Sequence, residues 1–238
     1  MNLLELVQTF TKRTALASPS AVVSSADDQI RQIAGLLDEV LEYVTDRHYD
    51  WSPVVLEATF TTLAAEDQGA ITALAPSGYK HILNNTIFDR TRQLPFYGPL
   101  SAGKWQQDKV FFTTGPFYKY RIVRGRLLLN PAPPAGHSCA FEYASSHAVL
   151  ASDGLTSKAY PTADDDTFLL PPTVLLAGLR WKWKYEKGLE YAEDFRTFEE
   201  LLSNAIGRDG SKPALSMDGE SGSATPGIFV SPGSWSLP

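Results

Sequence analysis

The chain has 238 residues, 43% of them hydrophobic and 20% charged, with a net charge of −6. That is enough apolar material for one well-filled core, and it lacks the cationic excess that phosphate neutralisation on nucleic acid requires. The single cysteine, Cys139, excludes an internal disulfide framework and suits a reducing compartment, and no run approaches the roughly 18 apolar residues of a membrane span, so no membrane insertion is expected.

The N-terminal stretch MNLLELVQTFTKR carries its charge after a short apolar run, the pattern of an amphipathic helix and not of a signal peptide. Leu3, Leu6, Val7 and Phe10 share one face of a helix over residues 2–13. A loop with Pro19 follows. Ser25 is the expected cap of a second helix, whose positive end suits Asp27 and Asp28. Ile30, Ile33, Leu37, Val40, Leu41 and Val44 then recur at helical spacing to about Arg47, and Pro53 closes the pattern.

The character turns to strand. Residues 54–62 (VVLEATFTT) are β-rich, and 71–74 and 80–89 are further strand candidates. Residues 101–109 read as a short helix with Ser101 as cap and Trp105 on its inner face. The runs 117–123 and 126–130 flank Arg124-Gly125, a tight-turn signal, and a Pro-rich link over 131–136 leads to another strand at 138–145. A polar loop with Asp164, Asp165 and Asp166 returns to helix. Residues 173–187, opened by Pro171 and Pro172 and closed by Gly188, carry Val174, Leu175, Leu176, Leu179, Trp183 and Tyr185. Residues 191–207 carry Tyr191, Phe195, Phe198, Leu202 and Ile206 on one face.

From Arg208 to Pro238, Gly, Ser and Pro dominate and no period survives, so this segment has no core of its own. Its spaced anchors, Met217, Ile228, Phe229, Val230 and Trp235, read as a docking peptide. The resulting plan is an α+β fold: a four-helix bundle core (1–52 and 171–207), an inserted β-rich subdomain (53–170) and an extended C-terminal docking arm (208–238).

Chemistry-bearing residues are scattered. His137 and Cys139 sit two apart in a strand, but their spacing matches no closed zinc pattern, which needs four ligands. Asp46, His48 and Asp50 gather at a helix end, where dipole compensation is the ordinary role of a cation. The Asp164–Asp166 run lacks EF-hand spacing. Glu57, Glu142, Glu190, Glu193 and Asp194 offer carboxylates for glycoside hydrolysis, which sequence alone cannot pair. Neither G-x-S-x-G nor a phosphate-cradling P-loop is present, so no catalytic residue, metal or cofactor is assigned. Lys119, Arg121, Arg124 and Arg126 make a basic hairpin. It is expected to meet an acidic partner, or alternatively nucleic acid, with Phe117, Tyr118 and Tyr120 stacking on bases. In Trp181-Lys182-Trp183-Lys184-Tyr185 the two tryptophans cannot share one narrow stripe, so one is expected to face the insertion or the loop before it, or else a partner.

Several short segments carry a resemblance: Tyr49-Asp50-Trp51, Phe88-Asp89-Arg90, Gly98-Pro99-Leu100, Gly115-Pro116-Phe117-Tyr118 with Arg121, the Pro131–Gly136 run with Phe141-Glu142-Tyr143, Ala192-Glu193-Asp194-Phe195 and residues 205–210 (AIGRDG). In their order, the chain resembles the head-to-tail adaptor (tail tubular A, or gatekeeper) proteins of short-tailed bacteriophages over most of residues 1–210. The resemblance implies a non-enzymatic virion protein assembled in the host cytoplasm. It implies a ring of copies, commonly twelve, between the portal protein and the tail nozzle protein, with DNA passing through unbound. It also implies a C-terminal arm that docks on the portal or a neighbouring subunit. A virion-associated cell-wall hydrolase and a nucleic-acid-binding module are the alternatives. A net charge of −6 is compatible with a channel that does not grip DNA.

Overall fold

The computed structural model describes residues 1–46, 49–111, 115 and 117–210. The anchors Met217, Ile228, Phe229, Val230 and Trp235, and His48 of the acid-base cluster, lie outside the described residues. The chain opens with α1 (Leu3–Arg13) and α2 (Asp28–Asp46), then a single 3-10 turn (Ser52–Val54). There follow β1 (Val55–Thr61), β2 (Asp67–Ala70), α3 (Ile71–Leu74), β3 (Tyr79–Ile82), β4 (Phe88–Asp89), β5 (Leu94–Pro95) and α4 (Ala102–Val110). Next come β6 (Lys119–Val123), β7 (Arg126–Asn130), β8 (Ser138–Ser145), β9 (Val149–Leu150), β10 (Ser157–Lys158) and β11 (Thr167–Phe168). Helices α5 (Pro172–Glu186) and α6 (Ala192–Asp209) close the described chain.

The caps explain the helix starts. Asn2 accepts the Glu5 N–H at 2.8 Å while the Glu5 carboxylate accepts the Asn2 N–H at 3.1 Å, a reciprocal capping box for α1. At α2 the expected cap is displaced: Asp27, not Ser25, accepts the Gln29 N–H at 2.9 Å, and Ser25 instead accepts the Asp27 N–H. Ser101 accepts the Lys104 N–H and Trp105 is buried, so α4 forms as its sequence predicts. Residues 71–74, read as strand, form the single turn α3, because the Ile71 N–H is taken by the Gly125 carbonyl and Ala75 N–H closes back on Ile71.

Three small antiparallel sheets organise the rest. Strand β8 is the spine of the largest. It pairs over Ser138–Ala144 with β1 on one edge and with β4 and β3, one after the other, on the opposite edge, with β5 outside β4. Alternation places Cys139, Phe141 and Tyr143 on one face of β8, where they join Phe60, Ile87, Phe96, Tyr120, Leu127 and Leu129 in a sheet-side core. The second sheet is β2–β7–β6 and the third β10–β9–β11.

The four-helix bundle core is not what forms. The fold is mixed α/β, and strands make much of its interior. Helices α1, α2, α5 and α6 do share one apolar cluster, but Trp51, Val54, Ala148, Val149, Phe168 and Leu170, from the strands and links, complete it. The reason lies in α5. It buries Val174, Leu175, Leu176, Gly178 and Leu179 around much of its circumference, so it needs neighbours on several sides and not along one bundle seam. The two tryptophans follow from this. Trp181 turns to α6, edge-on to Phe195 at 5.1 Å, and Trp183 turns to α1, edge-on to Phe10 at 6.2 Å. Both pack on the helical cluster, so the expectation that one faces the β-rich part is also corrected.

Gly178 sets how closely α5 approaches its neighbours. A Cβ there would stand 2.6 Å from Val40 Cγ1 and 3.1 Å from the Phe198 ring. Alanine in a helix interior normally gains about 1 kcal/mol over glycine, but overpacking costs about 1–3 kcal/mol. Gly178→Ala is therefore expected to lose about 1 kcal/mol in a urea titration, and the same substitution made in a Val40→Ala background, where the clashing methyl is gone, should cost less. A Gly178→Ala protein more stable than the parent would contradict this packing.

Candidate functional site

The basic hairpin is built as its sequence implies. Arg124 (φ +50°) and Gly125 (φ +68°) form a two-residue turn between Val123 and Arg126, which pair directly. Positive φ at both positions matches the twist of the strands, and glycine adopts it without strain. Alternation then sorts the side chains. Tyr118, Tyr120, Leu127 and Leu129 are buried in the sheet-side core, while Lys119, Arg121, Arg124 and Arg126 point the other way or lie at the turn. Tyr118 and Tyr120 are thereby withdrawn from stacking on bases. Burial pushes the Tyr120 hydroxyl up to about 12, the neighbouring Tyr79 adding to it, and that hydroxyl has no hydrogen-bond partner among the described residues.

Two of the four cations are already matched. Lys119 Nζ lies 2.7 Å from the nearly buried carboxylate of Asp108 on α4. The hydrogen bond from Lys119 holds the Asp108 carboxyl below its usual range, against its burial. Arg126 Nε lies 2.6 Å from Asp67 on β2. Arg121 and Arg124 form no ion pair among the described residues, so the uncompensated charge sits toward the turn. The acidic partners come from other elements, Asp67 from β2 and Asp108 from α4.

Beside this hairpin the surface is apolar. Phe111 and Val110, at the end of α4, are 69% and 68% exposed. Tyr97, also exposed, stands edge-on to Phe117 at 5.0 Å, and the Arg92 guanidinium lies over the Tyr118 ring at 5.0 Å. Backbone bonds between Tyr97 and both Tyr118 and Tyr120 stitch this strip to β6, and the Asp108–Lys119 pair ties α4 to it. Val110, Phe111 and Tyr97 are thus exposed apolar groups on elements tied to the Lys119 end of the hairpin, and exposed groups of this kind suit protein contact. A second exposed apolar group, Tyr185, Leu189 and Tyr191, lies on the helical side at the α5–α6 turn, with the two tyrosine rings 5.2 Å apart.

No family model and no curated protein matches the chain.

The remaining candidates take up structural positions. Asp89, fully buried, accepts from Thr91 N–H (2.9 Å) and Arg92 N–H (3.0 Å) and meets His137 Nδ1 at 2.8 Å. Cys139 beside it is fully buried, and burial, with the Asp89 charge second, pushes its thiol up to about 12, far from a reactive thiolate. Among the described residues no three His, Cys, Asp or Glu side chains are grouped to hold a metal. Asp164 accepts the N–H groups of Val22 and Val23 (3.1 and 2.9 Å), and Asp166 takes Lys158 and two loop N–H groups, so the acidic run fastens loops to one another. Of the helix-end cluster, Asp50 meets His81 Nε2 at 3.0 Å, and Lys80 Nζ donates to the Thr45 carbonyl at 2.5 Å, compensating the C-terminus of α2 from β3.

Glu57 and Glu142 stand directly opposite each other on β1 and β8, beside an open surface depression lined also by Asn85, Thr86 and Arg90. Arg90 holds Glu57 at 2.8 Å. Glu190 and Glu193 are exposed, and Asp194 is shared by Arg180 and Lys184. The structure does not bring the five carboxylates into one cleft.

Two of the resemblance segments meet in space, and a third is held on β8. Asp209 of 205–210 accepts the Tyr49 hydroxyl (2.9 Å) and the Ser52 N–H (2.8 Å), locking the end of α6 to the link after α2. Phe88 and Asp89 pair with Ala140 and Cys139 on β8. These contacts give the segments a physical role in holding the frame.

One charged group works against the fold. Asp38, on α2, is half-buried, and its carboxyl is pushed up to about 6 by that burial and secondly by Glu42 one turn on, which also accepts the Tyr160 hydroxyl. A raised folded-state pKa means that stability falls as pH rises through the range between the ordinary carboxyl value and about 6. Asp38→Asn is therefore expected to stabilise the protein by about 1 kcal/mol at pH 7.5, allowing for solvent screening. The gain should vanish near pH 4, which thermal melts at the two pH values would check.

Proposed function

We propose that the chain is a head-to-tail adaptor, a structural virion protein whose copies form a ring between a portal and a tail nozzle and surround part of the DNA channel. The observation that carries this reading is two exposed apolar groups at separate places in the fold. Val110 and Phe111 end the helix that Asp108 ties to Lys119, with Tyr97 bonded to the same strand, and Tyr185, Leu189 and Tyr191 lie at the α5–α6 turn. A subunit held between neighbours needs two such faces, because heterologous ring contacts use different surfaces on each copy. The resemblance segments support the reading by their place in the frame: the Tyr49 hydroxyl donates to Asp209 of another such segment, and Asp89 and Arg90 of a third engage His137 and Glu57. The partners would be other copies of the chain, the portal and the nozzle, with Arg121 and Arg124 positioned to meet an acidic neighbour.

Surface variants test this without disturbing the cores. Val110→Ser with Phe111→Ser, and separately Tyr185→Ser with Leu189→Ser, are expected to leave the melting temperature within about 3 °C of the parent, since exposed substitutions usually change stability by less than about 0.5 kcal/mol. Each pair should abolish ring formation or capture by portal particles. Normal assembly of both variants would overturn the reading.

A further inference from the structure

The α5–α6 turn is a fixed projection. Gly188 (φ +66°) ends α5, with the Leu189 N–H donating to the Lys184 carbonyl at 2.9 Å and its own N–H to the Tyr185 carbonyl at 3.0 Å, the two bonds of a Schellman cap. The Tyr185 and Tyr191 rings meet edge-on at 5.2 Å. Leu189, which such a cap ordinarily tucks against its own helix, is 49% exposed. Glu186, Glu190 and Glu193 are exposed around it and form no ion pair among the described residues, while Lys187 donates to Gln32 at 2.8 Å. The same chain carries a recess of opposite character. Two adjoining cavities of about 230 and 290 Å³, sharing Thr173 and Leu201, make a groove along α6. Its floor is apolar, formed by Leu176, Ala177, Leu201 and Ala205. Arg13 lines one cavity and Arg208 the other, both exposed and neither in an ion pair among the described residues. We infer that the α5–α6 turn of one copy seats in the α6 groove of a neighbouring copy, with Leu189 on the apolar floor and the glutamates against Arg13 and Arg208.

Three observations select a second copy as the occupant. Charge is complementary: an apolar knob rimmed by unpaired carboxylates faces an apolar floor flanked by unpaired guanidiniums. The knob is preorganised by its cap and its ring pair, so seating it costs little ordering entropy. The two surfaces are also distinct on one chain, because Tyr185, Leu189 and Tyr191 do not line the groove. Each copy therefore offers one knob and one groove, and a contact that uses different surfaces on its two sides is heterologous and closes into a ring where the rotation allows. The inference rests on the adaptor reading for bringing copies side by side. It gives Tyr185 and Leu189 a partner on the next copy and leaves Val110 and Phe111 for a different neighbour. A contact of this size is short-lived between two free copies, so a covalent trap reads it best.

The test mixes two full-length variants, Leu189→Cys and Thr173→Cys, both at exposed positions, free in solution and again on portal particles. Cys139 is buried and stays out of the reaction. Under mild oxidation the mixture is expected to give a disulfide-linked dimer on a non-reducing gel far faster than either variant alone, because the two Cβ atoms must approach to roughly 4 Å for the bond to form. Adding Arg13→Glu and Arg208→Glu to the Thr173→Cys chain should slow the reaction roughly threefold or more. Adding Glu186→Arg and Glu190→Arg to the Leu189→Cys chain as well should restore much of the rate. Dimers that form as fast from either variant alone would show like meeting like and overturn the inference. So would no dimer in either setting, or a rate unchanged by the charge reversal. Cross-linking without rings on portal particles would count against the adaptor reading and leave the contact standing, whereas rings without the cross-link would count against the contact alone.

Discussion

Asp166→Asn is expected to cost about 3–5 kcal/mol at pH 7, the usual loss when one partner of a buried ion pair is removed. The Asp166 carboxylate is nearly inaccessible, yet it accepts from Lys158 Nζ at 2.9 Å, Thr162 N–H at 2.7 Å and Ala163 N–H at 3.0 Å. An asparagine can point its oxygen at only some of these donors, and its NH₂ then faces another donor. The damage reaches α1, because the Leu3 and Leu4 N–H groups are capped by the carbonyls of Asp166 and Asp164, and Asn2 bridges to Thr167. The pH dependence gives a second check. Burial alone would raise the Asp166 carboxyl, but the hydrogen bonds from Thr162, Lys158 and Ala163 and the Lys158 charge outweigh it and hold it below the usual carboxylate range. A depressed pKa contributes stability above the ordinary carboxyl value and loses it as pH falls through the folded one. The gap between parent and variant should therefore be full at pH 7 and narrow steadily below about pH 4. A variant as stable as the parent at pH 7 would contradict the role of this residue.

Asp89→Ala is expected to lose about 3 kcal/mol, by taking the buried carboxylate away from the part-buried bonds to the Thr91 and Arg92 N–H groups and the His137 ring. The chain's single cysteine reports on this corner directly. Asp89 pairs with Cys139 across β4 and β8, and in the parent protein the thiol is fully buried and raised to about 12. A thiol reagent should label the native parent only on the timescale of unfolding, whereas Asp89→Ala should be labelled markedly faster in the absence of denaturant. His137→Asn, which removes the ring but leaves the two turn bonds to Asp89, should fall between the two. Equal labelling of parent and Asp89→Ala would contradict the assignment of Asp89 as the post that joins β4, its following turn and the start of β8.

Local signals were readable wherever a single segment decides its own structure. The stripes of α1 and α2 belong to this class, as do Ser101 before α4, the Arg124-Gly125 turn and the strand at β8. What escaped is decided between segments. The short strands β2, β5, β9, β10 and β11 have too few residues for a period, and β9 to β11 exist only because the loops around Asp164 and Asp166 bring them together. The bundle expectation failed for a related reason. Four amphipathic helices do not reveal that the central one, α5, is buried on more sides than three helical neighbours cover, so that Val149, Phe168 and Leu170 must complete the cluster. The basic hairpin was legible as a charged strip, but the halving of its free charge by Asp67 and Asp108 depends on pairings across about 59 and 11 residues. Five carboxylates suggested chemistry in sequence, and the structure distributes them. Only Glu57 and Glu142 face each other, and Arg90 holds the first.

The central claim is assembly, and the most direct test is the native mass of the purified full-length protein, alone and mixed with portal particles, read by native mass spectrometry or negative-stain imaging. The adaptor reading predicts closed rings near twelve times the protomer mass, formed alone or on the portal, and lost in the Val110/Phe111 and Tyr185/Leu189 variants. A protein that stays monomeric under both conditions would contradict it.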